Sequence, residues 1–375
     1  MRFPEFEGEW EVIKLGELSE LITKGTTPKK FISEGIKFIK IECFDGDRIN
    51  MQKCLFIDEN VHKKELKRSE LKENDLLFAI AGATIGKVNI VTEEILPANT
   101  NQALAIIRLK KNENPKFIYQ ILKSNIMQKY IKDNISVGAQ PNLNLEQINS
   151  FSFYNPLSSE QDKIATFLSL IDDRIQTQNK IIEQFKTLIL CFRNQIFTQK
   201  IRFKNENGTD FSDWDQVKIG NILKIGSGKD YKHLKAGNFP VFGTGGLMTS
   251  VDDYLYDGET VCIGRKGTID KPMYHNGKIW TVDTLFYTHS FQYCIPKFIF
   301  HLFRTINWLE FNEASGVPSL SKTTIEKIKV HIPSLEEQNV ISKFLSAMDK
   351  KIKIEKTILE QLEKQKKYLL EEMFI

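Results

Sequence analysis

Several short motifs in this sequence contain residue types that could do chemistry, but each lacks something that the chemistry needs. Residues 82–87 (GATIGK) resemble a phosphate-binding P-loop, yet they are one residue short between the glycines, and Val88 replaces the hydroxyl that would bind magnesium. Residues 226–230 (GSGKD) lack the earlier glycine of that motif, and residues 243–246 (GTGG) are typical of a flexible turn. The sequence therefore predicts tight turns at these positions and no nucleotide site.

Candidate metal ligands and catalytic groups are also poorly spaced. The thiols and imidazoles that might bind a metal follow no regular pattern and lie on different predicted elements: Cys262, His275, His289, Cys294 and His301. Residues 155–157 (NPL) have one proline where amino-methyltransferases carry a pair followed by an aromatic residue. No nucleophilic triad and no acidic cluster of nuclease type stands out. We therefore predict no metal site and a chain that is not an enzyme by itself.

The composition limits the possible classes of protein. The 375 residues include 52 Lys and Arg against 48 Asp and Glu, a net charge of +4, so charge alone does not indicate a nucleic-acid binder. No run of about 18 apolar residues exists, and the acidic start interrupted by Pro4 is no signal peptide. Five cysteines without a CxxC pair fit reduced thiols better than disulfides. We expect a cytoplasmic protein of two or three domains with no membrane span.

The most informative feature is an internal repeat at a spacing of 177 positions. Pairs matched at this spacing without a gap include Pro141/Pro318, Ile148/Ile325, Pro156/Pro333, Glu160/Glu337, Asp172/Asp349 and Phe197/Phe374. Further upstream the match drifts, and Trp10 faces Trp214 at a spacing of 204. Each half therefore has a variable front domain followed by a much less variable back segment.

The back segments, residues 156–199 and 333–375, are predicted to form long helices that contain no Gly or Pro after their first residues. Apolar residues recur at alternating steps of four and three, which is the pattern of a coiled-coil seam. The predicted seam residues are Ile164, Leu168, Ile171, Ile175, Ile182, Phe185, Ile341, Leu345, Met348, Ile352, Leu359 and Leu362. Each helix could instead pack only on its own front domain, but so long and narrow a stripe favours pairing of the two helices.

The variable segments, which we name front domain 1 (residues 1–155) and front domain 2 (residues 200–332), mix short β-rich runs with helical stretches. The predicted strands of front domain 1 cover residues 36–41, 76–80, 88–91 and 103–109, and predicted helices cover residues 115–131 and 296–311. The fold class is therefore α+β, with two similar domains joined by two long antiparallel coiled-coil helices in a pseudo-twofold internal repeat. Such symmetry would place the front domains at opposite ends of the helix pair.

With these features the sequence resembles the specificity (S) subunit of type I restriction–modification systems over essentially its whole length. The segments that carry the resemblance are the paired signatures of residues 156–168 (PLSSEQDKIATFL) and 333–345 (PSLEEQNVISKFL), residues 169–175 (SLIDDRI), the openings at Trp10 and Trp214, and the loops of residues 82–87 and 136–143.

The resemblance implies that this chain recognises DNA while partner subunits carry out catalysis. Each front domain would be a target recognition domain that reads one half of a split, asymmetric site in double-stranded DNA, and the helices would set the spacer. Two methyltransferase (M) subunits and two restriction (R) subunits would complete the prokaryotic complex. S-adenosylmethionine, ATP and magnesium would belong to those partners, and this chain would bind no cofactor.

Side chains that reach base edges or phosphates are expected on the loops. In front domain 1 the predicted DNA-binding residues are Lys24, Thr26, Thr27, Lys87, Asn99, Asn101, Gln102, Gln140 and Asn142. In front domain 2 they are Lys229, Tyr231, Lys232, His233, Arg265, Lys266 and Thr268. The unequal loops of the two domains imply that the two half-sites differ in sequence.

Two other classes of protein remain open at this point. A structural adaptor would use the coiled coil to join proteins without reading DNA, and the modest net charge fits that class. A methyltransferase with a degraded motif would reveal itself by binding S-adenosylmethionine when purified alone.

Overall fold

The computed structural model describes residues 2–135 and 141–374. The chain divides into two compact units, unit 1 (Met1–Asn179 with Thr357–Ile375) and unit 2 (Lys180–Lys356). Each unit contains one front domain and parts of both long helices, and the predicted α+β fold with an internal repeat is confirmed. Among the described residues, no helix is long and apolar enough to cross a membrane.

Front domain 1 contains eleven described strands and four short helices before the first long helix. The strands are β1 (Glu11–Lys14), β2 (Ser19–Lys24), β3 (Ile36–Ile39), β4 (Phe44–Asp45), β5 (Arg48–Ile49), β6 (Leu55–Ile57), β7 (Leu76–Ala79), β8 (Val88–Ile90), β9 (Ala98–Thr100), β10 (Leu104–Leu109) and β11 (Ser152–Asn155). The helices are α1 (Leu15–Leu18), α2 (Pro115–Lys123), α3 (Asn125–Asn134) and α4 (Leu145–Ser150), followed by α5 (Ser158–Phe197).

The main sheet of front domain 1 has the strand order β2-β10-β7-β8, and a second sheet has the order β6-β3-β9 with β3 parallel to β9. Every side chain of β7 is buried because the two faces of the strand enter different cores. Leu76 and Phe78 pack in the core that includes α2, whereas Leu77 and Ala79 pack in a separate cluster with Ile39. This explains why the strand is a continuous apolar run without alternation.

Front domain 2 uses fewer and longer strands. They are β12 (Asp215–Lys218), β13 (Lys224–Ser227), β14 (Ala236–Gly243), β15 (Gly246–Val251), β16 (Tyr256–Gly264), β17 (Met273–Thr281), β18 (Leu285–His289) and β19 (Lys329–Ile332). The helices are α6 (Ile219–Ile222), α7 (Pro296–Phe303) and α8 (Lys322–Lys327), followed by the second long helix α9 (Leu335–Met373). One six-stranded sheet has the order β13-β18-β16-β17-β14-β15.

The two front domains have the same topology. The order β2-β10-β7-β8 corresponds to β13-β18-β16-β17, and the parallel pair β3 and β9 corresponds to the parallel pair β14 and β17. The single strand β17 is divided into β8 and β9 in front domain 1 by the intervening residues 91–97. A second difference lies between β3 and β6, where residues 40–54 replace the tight turn that joins β14 to β15.

The long helices α5 and α9 run antiparallel. In unit 1, Asp172 of α5 is paired with Lys366 near the end of α9. In unit 2, Phe192 near the end of α5 stacks edge-on against Phe344 near the start of α9, with ring centroids 5.5 Å apart. Every residue of the predicted seam is buried or half-buried. The same helices also enter the cores of the front domains, so helix pairing and packing on the front domains occur together.

The predicted helix over residues 115–131 is wrong in one respect, because it is interrupted at Ser124. The Ser124 hydroxyl donates to the Ile121 carbonyl at 2.7 Å, and its backbone is extended, so α2 ends there and α3 begins. The predicted helix over residues 296–311 likewise consists of α7 and a separate 3₁₀ turn at Trp308–Phe311.

Candidate nucleic-acid interface

In front domain 1, several loops meet where β2 and β7 end and β10 begins. The backbone N–H of Gly25 donates to Leu104 at 3.3 Å, that of Ile80 donates to Ala103 at 2.9 Å, and that of Leu143 donates to Ile80 at 2.9 Å. These bonds join residues 24–27, 80–87, 101–103 and 141–143 into one surface, which we name loop edge 1. A Cβ on Gly25 would lie 2.1 Å from the Thr100 carbonyl oxygen, so only glycine permits this approach of the chains.

Loop edge 1 brings together most of the predicted DNA-binding residues of front domain 1. The exposed ones are Lys24, Thr26, Thr27, Lys87, Gln102 and Asn142. The Thr27 hydroxyl is hydrogen-bonded to the Gln102 side chain, and Asn142 forms a β-bridge with Ala81 beside the glycine turn. Cations, amides and hydroxyls thus share a surface, which is the donor and acceptor set for phosphates and base edges.

One residue of this surface was not predicted from the sequence. The Arg68 guanidinium donates to the Thr26 hydroxyl at 3.3 Å and is exposed, as are the neighbouring Lys64 and Lys67. The available signal was the basic run of residues 63–68 (KKELKR). Sequence spacing alone does not connect that run to a loop 42 positions earlier.

Asn99 is a correction to the predicted set. Its side chain is 0% exposed, its Oδ1 accepts a hydrogen bond from His62 Nδ1 at 2.6 Å, and its Nδ2 donates to the Leu66 carbonyl at 2.9 Å. An amide whose groups are satisfied inside the domain cannot reach a base edge. Asn101 is half-buried, and its Oδ1 accepts from the Ala103 N–H at 3.2 Å. Gln140 lies outside the described residues.

Front domain 2 repeats this geometry with different side chains. The N–H of Gly228 donates to Leu285 at 3.1 Å, that of Arg265 donates to Thr284 at 2.8 Å, and that of Leu320 donates to Arg265 at 2.9 Å. These bonds match those of Gly25, Ile80 and Leu143 one for one. They define loop edge 2, residues 227–230, 265–268, 282–284 and 317–320. Within it, Lys266 bridges to Ser319 as Ala81 bridges to Asn142.

Loop edge 2 contains a cleft of about 720 Å³. The lining includes the predicted residues Arg265 and Lys266, both exposed, together with Lys322 and the acidic residues Asp283 and Glu313. Hydrogen bonds from the Thr324 and Ser321 hydroxyls lower the pKa of Glu313, so it stays ionised beside these cations. Such a mixture of donors and acceptors suits selective recognition better than a uniform positive surface would.

The remaining predicted residues of front domain 2 are less uniform. Lys229 and Lys232 are exposed, whereas Thr268 is half-buried. Tyr231 is half-buried against the apolar cluster that includes Trp280, and the His233 ring lies 5.8 Å from the Trp280 ring. These two aromatic side chains therefore support the loop as well as bordering its surface.

The sequence also did not reveal an ion pair, formed once in each unit, that joins the front domain to a long helix. The Arg2 guanidinium makes two 2.8 Å hydrogen bonds to the Glu160 carboxylate, which is 1% exposed and also accepts from Trp10 Nε1 at 3.2 Å. Hydrogen bonding to Glu160 raises the pKa of Arg2. The first long helix thus holds the opening of front domain 1 through a charged, bidentate contact.

The repeat uses the same three residue types in unit 2. The Arg202 guanidinium contacts the Glu337 carboxylate at 3.3 and 2.8 Å, and Trp214 Nε1 donates to it at 3.2 Å. The matched glutamates and tryptophans were visible in the sequence. The arginines were not, because they precede the matched stretches and lie 200 positions apart.

Among the described residues, no group of His, Cys, Asp and Glu side chains is arranged to hold a metal ion. Five side chains were predicted not to bind a metal. Of these, Cys262, Cys294 and His301 are buried, while His275 and His289 are half-buried. Burial raises the pKa of the Cys262 thiol to about 12, which disfavours its thiolate form.

Comparisons with known proteins agree on one family. A sequence model described as the type I restriction modification DNA specificity domain matches residues 7–187 and again residues 211–364. The type I restriction enzyme MjaVIII specificity subunit of Methanocaldococcus jannaschii is 23% identical over 418 residues, covering 99% of this chain and 92% of the relative.

Two solved structures share the fold. The crystal structure of a type I restriction–modification S subunit from M. genitalium aligns with a TM-score of 0.64 at 19% identity, covering 100% of this chain and 99% of that one. A structure from work on complex assembly and conformational transition of the type I R-M system aligns with a TM-score of 0.59 at 12% identity, covering 98% and 97%.

Proposed function

The chain belongs to the family of type I restriction–modification DNA specificity subunits, and we propose that each of its front domains reads one half of a split, asymmetric DNA target. The observation that carries this proposal is the repeated geometry of loop edges 1 and 2. Matching backbone bonds hold the two sets of loops in the same arrangement, while the side chains they present differ.

The difference between the two loop edges supports an asymmetric target. After the matched glycines Gly25 and Gly228, one loop continues with Thr26 and Thr27 and the other with Lys229 and Asp230. Hydroxyls and a carboxylate offer different hydrogen bonds to base edges, so the preferred bases differ as well. Two front domains with different loop side chains would therefore select two half-sites of different sequence.

The long helices are proposed to set the gap between the half-sites. A helix of 40 residues such as α5 is about 60 Å long at about 1.5 Å per residue. That exceeds one turn of DNA, about 34–36 Å, which is the usual separation of half-sites read from one face. Since neither helix can be compressed, the gap should have a fixed length.

We further propose that two methyltransferase subunits dock on this chain, with two restriction subunits in the full complex. Exposed apolar side chains on the long helices support docking, among them Leu170 at 63% and Leu190 at 53% exposure. S-adenosylmethionine, ATP and magnesium would act in those partners. This chain would contribute recognition and no catalytic group.

Affinity selection from a randomised duplex library tests this proposal, using the chain co-expressed with the methyltransferase subunit of the same restriction–modification system. The expected result is two different short motifs separated by a constant unspecified gap. Arg265→Ala should relax one motif only, at a cost of about 1–3 kcal/mol, while Lys186→Ala on the exposed surface of α5 serves as the control. Salt-dependent binding without an enriched motif would overturn the proposal.

A further inference from the structure

A cluster of charged side chains joins front domain 1 to both long helices in unit 1, with Lys366 buried, Asp172 and Lys123 half-buried and Asp47 exposed. Lys366 of α9 is paired with Asp172 of α5 and lies 3.5 Å from the Asp47 carboxylate. Lys123 of α2 is also paired with Asp47, which accepts a 2.8 Å hydrogen bond from the Tyr119 hydroxyl. The cluster therefore contains two ammonium groups and two carboxylates, and its charges balance.

Unit 2 contains the matching cluster. At the repeat spacings, Asp349 replaces Asp172, Arg304 replaces Lys123 and His301 replaces Gln120. Arg304 is paired with Asp349 at 3.0 Å, and His301 Nδ1 lies 3.9 Å from the same carboxylate. The other long helix again supplies a second cation, Arg193 of α5, which lies near Arg304, Asp349 and His301. At the repeat spacing Arg193 matches Leu370 and Lys366 matches Ile189, so the two cations occupy different positions along their helices.

The charges of the unit 2 cluster do not balance. Arg193 is 4% exposed, and among the described residues its buried Nε and Nη2 meet no hydrogen-bond acceptor. Burial, followed by the charge of Arg304, lowers the pKa of Arg193 to about 10 against the opposing effect of the Asp349 carboxylate, so it remains cationic at neutral pH. Burial and the charges of Arg193 and Arg304 lower the pKa of His301 to about 3, so it stays neutral. Two guanidinium groups thus face the single carboxylate of Asp349.

The fold explains which group is absent from the unit 2 cluster. In unit 1 the second carboxylate, Asp47, sits at the turn between β4 and β5, within residues 40–54. Front domain 2 joins the corresponding strands β14 and β15 by the turn at Thr244 and Gly245. Phe300 also replaces Tyr119, whose hydroxyl holds Asp47 in unit 1. Front domain 2 therefore has no counterpart of the segment that carries the second carboxylate.

We propose that the cluster of Arg193, His301, Arg304 and Asp349 is a docking site for an acidic side chain of the methyltransferase subunit. The inference rests on the proposed function, since it assumes that this subunit binds the chain. A side chain carried on a loop is favoured because a loop of the polypeptide fills the matching position in unit 1. The side chains of Arg304 and Asp349 are 32% and 31% exposed, which leaves the cluster open to solvent on that side.

The first test measures the thermal stability of the isolated full chain. Arg193→Met removes a buried guanidinium whose Nε and Nη2 have no hydrogen-bond acceptor among the described residues, and should raise the melting temperature by about 2–4 °C. The matched variant Lys366→Met removes a cation whose carboxylates are both in place, and should lower the melting temperature. Lys186→Met is the control for the loss of one positive charge from α5 and should change little. A lower melting temperature for Arg193→Met would overturn the proposal, because it would mean that Arg193 is already paired within the chain.

The second test measures capture of the purified methyltransferase by the same variants. Arg193→Met should weaken capture at least about 30-fold although the variant is more stable, and Arg304→Gln should weaken it as well. Undiminished capture by both variants would overturn the docking site and leave the proposed function intact. Failure of the wild-type chain to capture the methyltransferase would instead contradict the docking step of the proposed function, and this inference with it.

Discussion

At the scale of residues, buried polar groups in this protein are placed by contacts that are distant in sequence. Glu160 and Glu337 are nearly inaccessible to solvent, and each receives an arginine and a tryptophan from the opening of its own front domain. Spacing identified the glutamates and tryptophans as repeated residues. It could not identify their contact, because the carboxylates and the indoles are about 150 and 123 positions apart.

Asn99 shows why a residue type alone is a weak predictor of a binding role. An asparagine in a polar loop next to Asn101 and Gln102 suits base recognition, and the sequence gives no sign that His62 and Leu66 will enclose it. Those partners belong to a part of front domain 1 that has no matching segment in front domain 2. The repeat therefore offered no comparison at this position.

The correction at Asn99 predicts different effects for two asparagines. Asn99→Ala leaves His62 Nδ1 and the Leu66 carbonyl without their partner and should destabilise front domain 1 by about 1–3 kcal/mol. The bases preferred by the folded variant should not change. Asn142→Ala, on the exposed loop edge, should leave stability within about 0.5 kcal/mol and alter one half-site. Urea unfolding and motif selection measure the two effects, and the reverse assignment would show that Asn99 contacts DNA.

His301 predicts a dependence of stability on pH. Burial, then the charges of Arg193 and Arg304, lowers the pKa of His301 to about 3, below its ordinary value of 6.5. Between these values only the unfolded chain binds the proton, so stability falls as the pH falls, by about 1.4 kcal/mol per pH unit.

His301→Gln, which copies Gln120 of the matching position, should remove this component. Unfolding free energies at pH 7.5 and pH 5.0 then show a smaller loss for the variant than for the wild-type chain, by about 2 kcal/mol. Other titrating groups contribute equally to both proteins and cancel in the difference. Equal losses would mean that His301 accepts a proton in the folded state.

At the scale of elements, the spacing of hydrophobic residues predicted the helices and strands better than it predicted where they are interrupted. The long helices and the apolar strands β7 and β10 follow from their periodicity and composition. The division of the predicted helix at Ser124 depends on a single hydroxyl bond, and periodicity does not reveal it. The shared topology of the front domains could not be read from the sequence either, because insertions separate β8 from β9 and β3 from β6.

Two glycines in the same domain provide a test of the loop edges. A Cβ on Gly228 would lie 1.9 Å from the Val282 carbonyl oxygen, so Gly228→Ala must push the two loops of loop edge 2 apart. The variant should lose selectivity for one half-site and retain it for the other. Gly245→Ala is the matched control, because a Cβ there would meet nothing within 4 Å. Retained selectivity at both half-sites in Gly228→Ala would mean that loop edge 2 does not contact DNA.

At the scale of the whole molecule, the internal repeat links sequence, fold and proposed function. Matched residues at a spacing of 177 positions predicted two front domains and two paired helices, and the topology of the two domains agrees with that repeat. The differences between the two halves are the features from which the proposed functions are inferred. They lie in the loop edges, where bases would be read, and in the charge clusters, where among the described residues only one half supplies its own second carboxylate.

The most direct test of this account exchanges one front domain and repeats the selection from randomised duplexes. Residues 200–332 would be replaced by the corresponding segment of a family member that reads a different sequence, and the chimera would be co-expressed with the same methyltransferase. If each front domain reads one half-site, one half-site changes while the other half-site and the length of the gap stay as in the wild-type chain. A change in both half-sites, or in neither, would contradict the claim that each front domain reads one half of the target.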